Sequence, residues 1–237
     1  MSTSEIVETI EKENVKEIAL QFTDLSGTLH SLWIPSELFP DISEEGIHID
    51  GSSVGMVDIS ESDLKLVPDI STFNVLPMNI FPQRVARLVC NIYEPESSKP
   101  LEIDPRFILK KAMDDCRKRL GSSVVYNACS EIEYFLFKKN EDGSIKRYDE
   151  GGYLASPPAD LGIDVRLEIT ESLRNIGVTV EKHHHEVPPG KYELNLVYTD
   201  ALRMADIIYL VKFIVKMTAA RRGLVASFMP KRFHDGY

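Results

Sequence analysis

The chain has 237 residues, of which 43% are hydrophobic and 27% charged, a composition typical of a soluble globular protein of one large or two modest domains. Its 37 acidic residues outnumber its 27 lysines and arginines, and the resulting charge of −10 disfavours binding to nucleic acid or to a membrane surface. Three scattered cysteines, no hydrophobic signal segment and no membrane-length apolar stretch together predict a cytoplasmic protein without disulfides or structural zinc.

The first 100 residues predict a small, mostly β domain. A capping-box signature opens a short helix, a turn signal joins an alternating strand to a second strand, and a β-rich run follows later. A stretch rich in proline, serine and aspartate favours loops and short strands. In chain order, these features are the capping box at Ser2 and Glu5, the hairpin over 18–35, the loop-rich stretch 36–80 and the strand 85–93.

A linker signal over 94–100 separates this region from the rest, so we predict domains at 1–100 and 101–237. Beyond the linker, helices alternate with strands, which indicates an α/β domain of the catalytic type. The helices are predicted after the capping residue Asp104, over 163–177, and from the cap Asp200 to Gly223, and the strands over 122–137, 178–186, 192–197 and 224–229.

One predicted strand carries a pair of acidic side chains. Glu131 and Glu133 alternate with apolar residues and therefore point to the same side of the strand. Two carboxylates that are close together repel each other and are costly to desolvate, and a divalent cation removes both penalties. An edge strand whose polar face meets water would show the same pattern.

A second acidic element includes a run of three histidines. Alternation places His184 and Glu186 on one face of the strand, and Glu181, His183 and His185 on the other. A Pro-Pro-Gly turn follows, and the hairpin it predicts brings Glu193 close to Glu186. An oxygen-rich cluster favours Mg²⁺ or Mn²⁺ over zinc, although each histidine taken alone is more often structural. The phosphate-binding P-loop, the dinucleotide fingerprint and the nucleophile elbow are all missing from the sequence.

Several motifs occur in the order seen in type I glutamine synthetases, and the chain resembles that family along its whole length. The resemblance implies an α+β fold, with an N-terminal β-grasp domain followed by an incomplete glutamine synthetase catalytic α/β domain. The motifs are Asp50-Gly-Ser-Ser53, Glu61-Ser-Asp63-Leu with Val67-Pro-Asp69, the strand around Glu131 and Glu133, Gly151-Gly-Tyr153, the segment His183 to Val187, and Phe228-Met-Pro-Lys231.

The resemblance also implies a role for each matching residue. Metal ligands would be Glu133, Glu186 and Glu193 for a first Mg²⁺ or Mn²⁺ ion and Glu131 for a second; Glu181 would contact nucleotide, and His184 would be an active-site histidine. Asp50 and Ser53 would reach across a subunit interface towards an ammonium site to which Tyr153 contributes. The implied reaction joins ammonia to glutamate through a γ-glutamyl phosphate formed from ATP, with Asp50 and Glu186 favouring ammonium and accepting its proton.

The implied partners are glutamate, ammonium and ATP, within a homo-oligomer of two hexameric rings or in co-assembly with a full-length relative.

Two departures qualify this resemblance. Lys191 places a cation beside the metal cluster, where the family usually has glutamine, and the sequence stops before the family's substrate loop and catalytic arginines. We therefore expect the 237-residue chain to be inactive alone. For the same reason we expect the face of its last helix that carries Met204, Ile208 and Val211 to lie uncovered. The alternatives are a non-catalytic regulatory or interaction subunit of the same fold, and a ligase that joins glutamate to another amine.

Overall fold

The computed structural model describes residues 1–95, 97 and 99–230, with residue 61 described for its backbone only. The motif residue Lys231, the segment 232–237 and two positions of the predicted linker, Glu96 and Ser98, lie outside this description. The chain forms two compact units, Met1–Tyr126 and Asn127–Tyr237.

The first unit is built on a five-stranded mixed sheet. Its strands are β1 (Glu17–Thr23), β2 (Leu29–Pro35), β3 (Ile47–Asp50), β4 (Asp63–Val75) and β5 (Val85–Tyr93). They lie in the order β2-β1-β5-β4-β3, where β1 and β5 are parallel and the other neighbours antiparallel. The hairpin predicted over 18–35 and the strand predicted over 85–93 are confirmed.

Three α-helices belong to this unit: α1 (Thr3–Glu13), α2 (Phe39–Glu45) and α3 (Pro105–Leu120). The predicted capping box is present, since Ser2 and Glu5 exchange hydrogen bonds at the start of α1. Asp104 caps α3 by accepting a hydrogen bond from the Arg106 amide at 3.0 Å. Ile6 of α1 is buried in the core formed with the sheet.

The prediction of only loops and short strands over 36–80 is wrong. Strand β4, with 13 residues, is the longest that the described residues form. Leu64, Leu66 and Pro68 alternate towards the core, as the side chains of a half-buried strand do. The turn-forming residues that obscured this pattern lie where the pairing of β4 with β5 shifts register, between Asp69 and Asn74.

The second unit contains a five-stranded sheet whose strand pairs are all antiparallel among the described residues. Its strands are β7 (Glu131–Lys139), β8 (Ile145–Arg147), β9 (Val180–His185), β10 (Lys191–Leu196) and β12 (Leu224–Ser227). The order is β12-β7-β10-β9, with β8 paired to β7. A short ladder joins β6 (Asn127–Ala128) to β11 (Thr199–Asp200). Helices and strands alternate as predicted, but the sheet is antiparallel rather than the parallel type common in α/β proteins.

In the described part of the second unit, two helices accompany the sheet: α4 (Ile163–Asn175) and α5 (Ala201–Arg221). Arg166 of α4 stacks over the ring of Tyr192 in β10, so α4 covers the face of the sheet that carries Tyr192. The expectation of an uncovered face on α5 is wrong for Met204 and Val211, which are 2% and 0% exposed. Among the residues that the structure describes, none of the helices has the length and apolar character needed to cross a bilayer.

Candidate metal centre

The face of the second sheet opposite α4 carries a row of acidic and imidazole side chains across three neighbouring strands. Strand pairing places Glu133 of β7 opposite Glu193 of β10, and Glu193 opposite His184 of β9. Side chains of directly paired residues lie on the same face of a sheet. The row follows from the alternation in each strand together with the register that the Pro-Pro-Gly turn sets between β9 and β10.

Three members of this face form a compact ligand group. His184, Glu186 and Glu193 each offer one atom, and these atoms all lie within 4.8 Å of one another. The distances are 3.5 Å from His184 Nδ1 to Glu186 Oε1 and 3.8 Å from His184 Nε2 to Glu193 Oε1. The structure thus brings together three residues that the sequence singled out, and it adds the imidazole of His184 to two of the three glutamates predicted for the first metal ion.

Electrostatic strain within the group favours a bound cation. Glu193 is only 8% exposed. Burial raises its pKa above the ordinary value, and the neighbouring carboxyl groups of Glu186 and Glu131 add to this shift, against a hydrogen bond from Asn195. A divalent cation would neutralise the repulsion, and carboxylate oxygens with one imidazole nitrogen form a suitable donor set for Mg²⁺ or Mn²⁺. The residues present therefore fit the metal ion that the sequence predicts.

The third glutamate predicted for the first metal ion has another partner. Glu133 Oε2 lies 2.8 Å from Nζ of Lys191, which neighbours Glu193 on β10. The Lys191 ammonium also lies 5.7 Å from the centre of the Phe135 ring. Glu133 is therefore not a member of the compact group. The Lys191 ammonium, which the sequence predicted beside the metal cluster, forms an ion pair with Glu133 instead.

Glu131, predicted for the second metal ion, is connected to the group through an amide. Asn195 Nδ2 donates hydrogen bonds to Glu131 Oε1 at 3.1 Å and to Glu193 Oε1 at 2.8 Å. The Asn195 oxygen Oδ1 is buried and accepts no hydrogen bond from any residue that the structure describes. Asn195 therefore orients two of the predicted ligands and offers a further oxygen beside them.

On the opposite, helix-covered face, a buried polar cluster supports the metal-binding face. Asp149 accepts hydrogen bonds from His185 Nε2 at 2.8 Å, from the Tyr192 hydroxyl at 2.7 Å and from the Gly190 amide at 2.9 Å. Burial alone would raise the pKa of Asp149, but the hydrogen bonds from His185 and Tyr192 outweigh it and hold the pKa below its ordinary value. His185 immediately precedes Glu186, and Tyr192 immediately precedes Glu193, so this cluster anchors the backbone of both ligands.

A buried ion pair extends the cluster along α4. The Arg166 guanidinium binds both carboxylate oxygens of Asp160, at 3.1 and 2.6 Å, and its Nε donates to His183 Nδ1 at 3.2 Å. Desolvation lowers the pKa of His183, and the charge of Arg166 lowers it further. Sequence reasoning placed His183 and His185 away from His184 but missed Asp149, Asp160 and Arg166.

Tyr153, predicted to contribute to an ammonium site, lies against the candidate centre. Its ring meets that of His184 edge to face at a centroid distance of 5.5 Å, and the residue is 59% exposed. The tyrosine is positioned by its chain neighbours: the Leu154 amide donates to the His185 carbonyl at 3.0 Å, and Gly151 packs against the His185 ring. A Cβ atom at Gly151 would approach His185 Nε2 to 2.8 Å, which explains the glycine at this point.

The predicted nucleotide contact, Glu181, lies at an irregularity of β9. The pairing of β9 with β10 shifts register there, because Val180 pairs with Leu196 while Lys182 pairs with Asn195. Because of this shift, simple alternation along β9 does not determine which face of the sheet Glu181 belongs to. Glu181 lines a groove of about 360 Å³ together with His183 and residues of α4 that include Arg174.

Asp50 and Ser53 belong to the first unit, at the end of β3. The Asp50 carboxylate accepts hydrogen bonds from the hydroxyls of Ser52 and Ser53, both at 2.6 Å. These hydrogen bonds lower its pKa to about 2, so the exposed carboxylate is ionised at neutral pH.

The chain matches two family models along most of its length. Residues 14–95 match the glutamine synthetase β-grasp domain, and residues 102–236 match the glutamine synthetase catalytic domain. The chain belongs to the glutamine synthetase family. The predicted α+β fold, with a β-grasp domain followed by part of the catalytic domain, is confirmed.

Curated glutamine synthetases and several solved structures resemble the chain over almost its whole length. The glutamine synthetase of Thermotoga maritima is 40% identical, over 99% of this chain and 53% of the relative, and that of Clostridium saccharobutylicum is 40% identical over 96% and 51%. A cryo-EM structure of Plasmodium falciparum glutamine synthetase has a TM-score of 0.81 at 25% identity, covering 98% of this chain and 51% of that one. A structure described as a GmaS/ADP complex has a TM-score of 0.84 at 26% identity, covering 95% and 51%. The chain thus spans about half the length of the glutamine synthetases it matches.

Proposed function

We propose that this chain supplies the N-terminal part of an ATP-dependent glutamate–ammonia ligase. The observation that carries the proposal is the compact group of His184, Glu186 and Glu193, with Tyr153 packed beside it, in a chain of the glutamine synthetase family. Carboxylates that are largely withdrawn from water and repel each other are unfavourable without a cation, so this arrangement supports metal-assisted phosphoryl transfer better than a purely structural role.

Under this proposal the residues of the sheet face hold and orient the reactants. Glu186 and Glu193, with Glu133 nearby, would hold one Mg²⁺ or Mn²⁺ ion near glutamate, and Glu131 would help hold a second near the ATP phosphates. When bound, such ions neutralise the charge of the transferring phosphoryl group. Asn195 fixes the orientation of Glu131 and Glu193 through its two hydrogen bonds.

The ammonium substrate is proposed to be recognised by carboxylates and an aromatic ring. Asp50 is ionised at neutral pH, and its negative charge would favour ammonium. The proton is proposed to pass to the carboxylates of Asp50 and Glu186. The exposed face of Tyr153 is suited to contact a small cation. Loss of the proton would make ammonia the nucleophile that attacks γ-glutamyl phosphate.

A second candidate function is a non-catalytic interaction subunit of the same fold. The observation that favours it is the ion pair between Lys191 and Glu133, which places a protein cation on a carboxylate proposed to bind the metal ion. A subunit of this kind would keep the fold and the assembly surface without turning over substrate.

Metal binding tests the site directly. We expect Glu186→Gln to weaken Mn²⁺ binding by about tenfold or more, because it removes one charged oxygen ligand of the group. Free Mn²⁺ would be followed by electron paramagnetic resonance during titration of the chain. Glu141→Gln, in an exposed turn after β7, is the matched control and should bind like the unaltered chain. Equal Mn²⁺ affinity in the Glu186→Gln variant and the unaltered chain would contradict the assignment.

The proposed role of Asp50 and Ser53 requires another subunit. We expect the chain to self-associate, or to assemble with a full-length relative, through its first 100 residues, since these residues are proposed to act at an active site shared between subunits. Sedimentation velocity of the chain, alone and mixed with a full-length glutamine synthetase, would measure this. A monomer under both conditions would count against the proposal.

A further inference from the structure

Lys191 is built into the metal-binding face rather than attached to its margin. Its side chain is only 13% exposed, its ammonium lies 2.8 Å from Glu133 Oε2, and the same ammonium lies over the Phe135 ring. Strand pairing sets Lys191 directly opposite Phe135. The aliphatic part of a lysine packed in this way loses contact if the side chain swings out to solvent.

The position of Lys191 brings its charge close to the ligand group. Lys191 and Glu193 are two residues apart on one strand, so both project from the same face. Glu133, the partner of Lys191, pairs directly with Glu193. A divalent ion held by Glu193 would therefore lie in the same short row of side chains as the Lys191 ammonium. The ammonium repels the ion by its charge, and it also occupies the neighbouring carboxylate of Glu133.

We propose that Lys191 is a resident counter-ion of Glu133 that sets the metal affinity of this face. It confines a divalent ion to His184, Glu186 and Glu193 and weakens its binding by charge repulsion and by withholding Glu133. This inference rests on the metal site of the proposed function. It adds a residue, Lys191, that is not a metal ligand but sets the affinity of the site.

Substituting Lys191 separates its charge from its packing. Lys191→Gln removes the cation and frees Glu133, so Mn²⁺ should bind about tenfold more tightly, which corresponds to about 1.4 kcal/mol. Lys191→Met also removes the charge but keeps an apolar side chain on Phe135. It should give the same gain in Mn²⁺ affinity, even in the case that glutamine perturbs the packing of the strand. Lys191→Arg keeps the charge and should bind Mn²⁺ like the unaltered chain.

A second substitution tests whether the effect depends on Glu133. In a Glu133→Gln background there is no carboxylate for Lys191 to release, so most of the gain from Lys191→Gln should disappear. Mn²⁺ titration by electron paramagnetic resonance is the primary measurement. The rise in melting temperature on adding Mn²⁺ is an independent one, since a ligand that binds only the folded state stabilises it in proportion to its affinity.

The outcomes distinguish this inference from the proposed function. Tighter binding in Lys191→Gln and Lys191→Met, with no gain in Lys191→Arg, supports the role of the charge. Unchanged affinity in both neutral variants, while Glu186→Gln still weakens binding by about tenfold or more, overturns the inference and leaves the metal site in place. A gain in Lys191→Arg equal to that in Lys191→Gln also overturns it. Failure of every variant to bind Mn²⁺ overturns both the inference and the metal site.

Discussion

Asp149→Ala is expected to lower the free energy of unfolding of the second unit by about 3 to 5 kcal/mol, the range typical for removing one partner of a buried charged network. The Asp149 side chain is 1% exposed and accepts hydrogen bonds from His185, Tyr192 and Gly190. Alanine leaves these buried donors without an acceptor. Because burial also keeps water away from them, the cost of desolvating each donor is no longer compensated by a hydrogen bond. Asp149→Asn keeps an acceptor oxygen and should cost less.

Chemical denaturation followed by circular dichroism would measure the loss, and hydrogen exchange of amides in β9 and β10 would locate it in the second unit. Asp142→Ala is the matched control, because Asp142 is exposed and its side chain accepts hydrogen bonds from Ser144 in its own turn. We expect that control to change the unfolding free energy by less than about 1 kcal/mol. Asp149→Ala with a stability equal to that of Asp142→Ala would contradict the role assigned to the buried cluster.

The same carboxylate gives the stability a defined dependence on pH. The folded-state pKa of Asp149 lies below its ordinary value, so the folded state holds the ionised form more firmly than the unfolded state does. Its contribution is therefore present above the unfolded pKa of about 3.9 and is lost as the pH falls through the lower folded pKa. The difference between the unaltered chain and Asp149→Ala should be constant near neutral pH and shrink below about pH 4.

Local patterns in the sequence predicted most elements of the fold. The capping box at Ser2, the cap at Asp104 and the β-rich run Val85–Tyr93 each depend on residues within one element, and each is present in the structure. Strand β4 was missed because Pro68 and Asp69 are usually turn residues, yet both pair with β5, opposite Cys90 and Val89, and the register shifts only after Asp69.

The candidate site could be predicted only where its geometry is local. The shared face of His184 and Glu186 follows from alternation, and the closeness of Glu193 follows from a short turn between two strands. Asp149 was not predicted, since its partners His185 and Tyr192 are 36 and 43 residues further along the chain and no spacing rule joins them. The partner of Lys191 likewise depends on the pairing of β7 with β10, which the sequence does not specify.

The purified 237-residue chain is expected to form no measurable glutamine by itself. Phosphoryl transfer depends on positioning and on neutralising charge, and removing one electrostatic stabiliser commonly costs about a hundredfold or more in rate. The resemblance assigns only Glu131 of this chain to the second metal ion, and it places the arginines that bind phosphate outside the 237 residues. Lys191 moreover pairs with Glu133, which the first metal ion is proposed to need. Several stabilising groups are thus missing or occupied together, and their losses multiply.

An assay of phosphate release that depends on glutamate, ATP and ammonia would test this expectation. Glu133→Ala serves as the control for contaminating synthetase, since a contaminant would contribute the same rate to both preparations. Glu141→Ala, in an exposed turn of the same unit, controls for the handling of a variant. A rate that Glu133→Ala abolishes and Glu141→Ala retains would show that the chain is a working ligase. It would mean that the carboxylates of this sheet face suffice for catalysis despite the cation that Lys191 places among them.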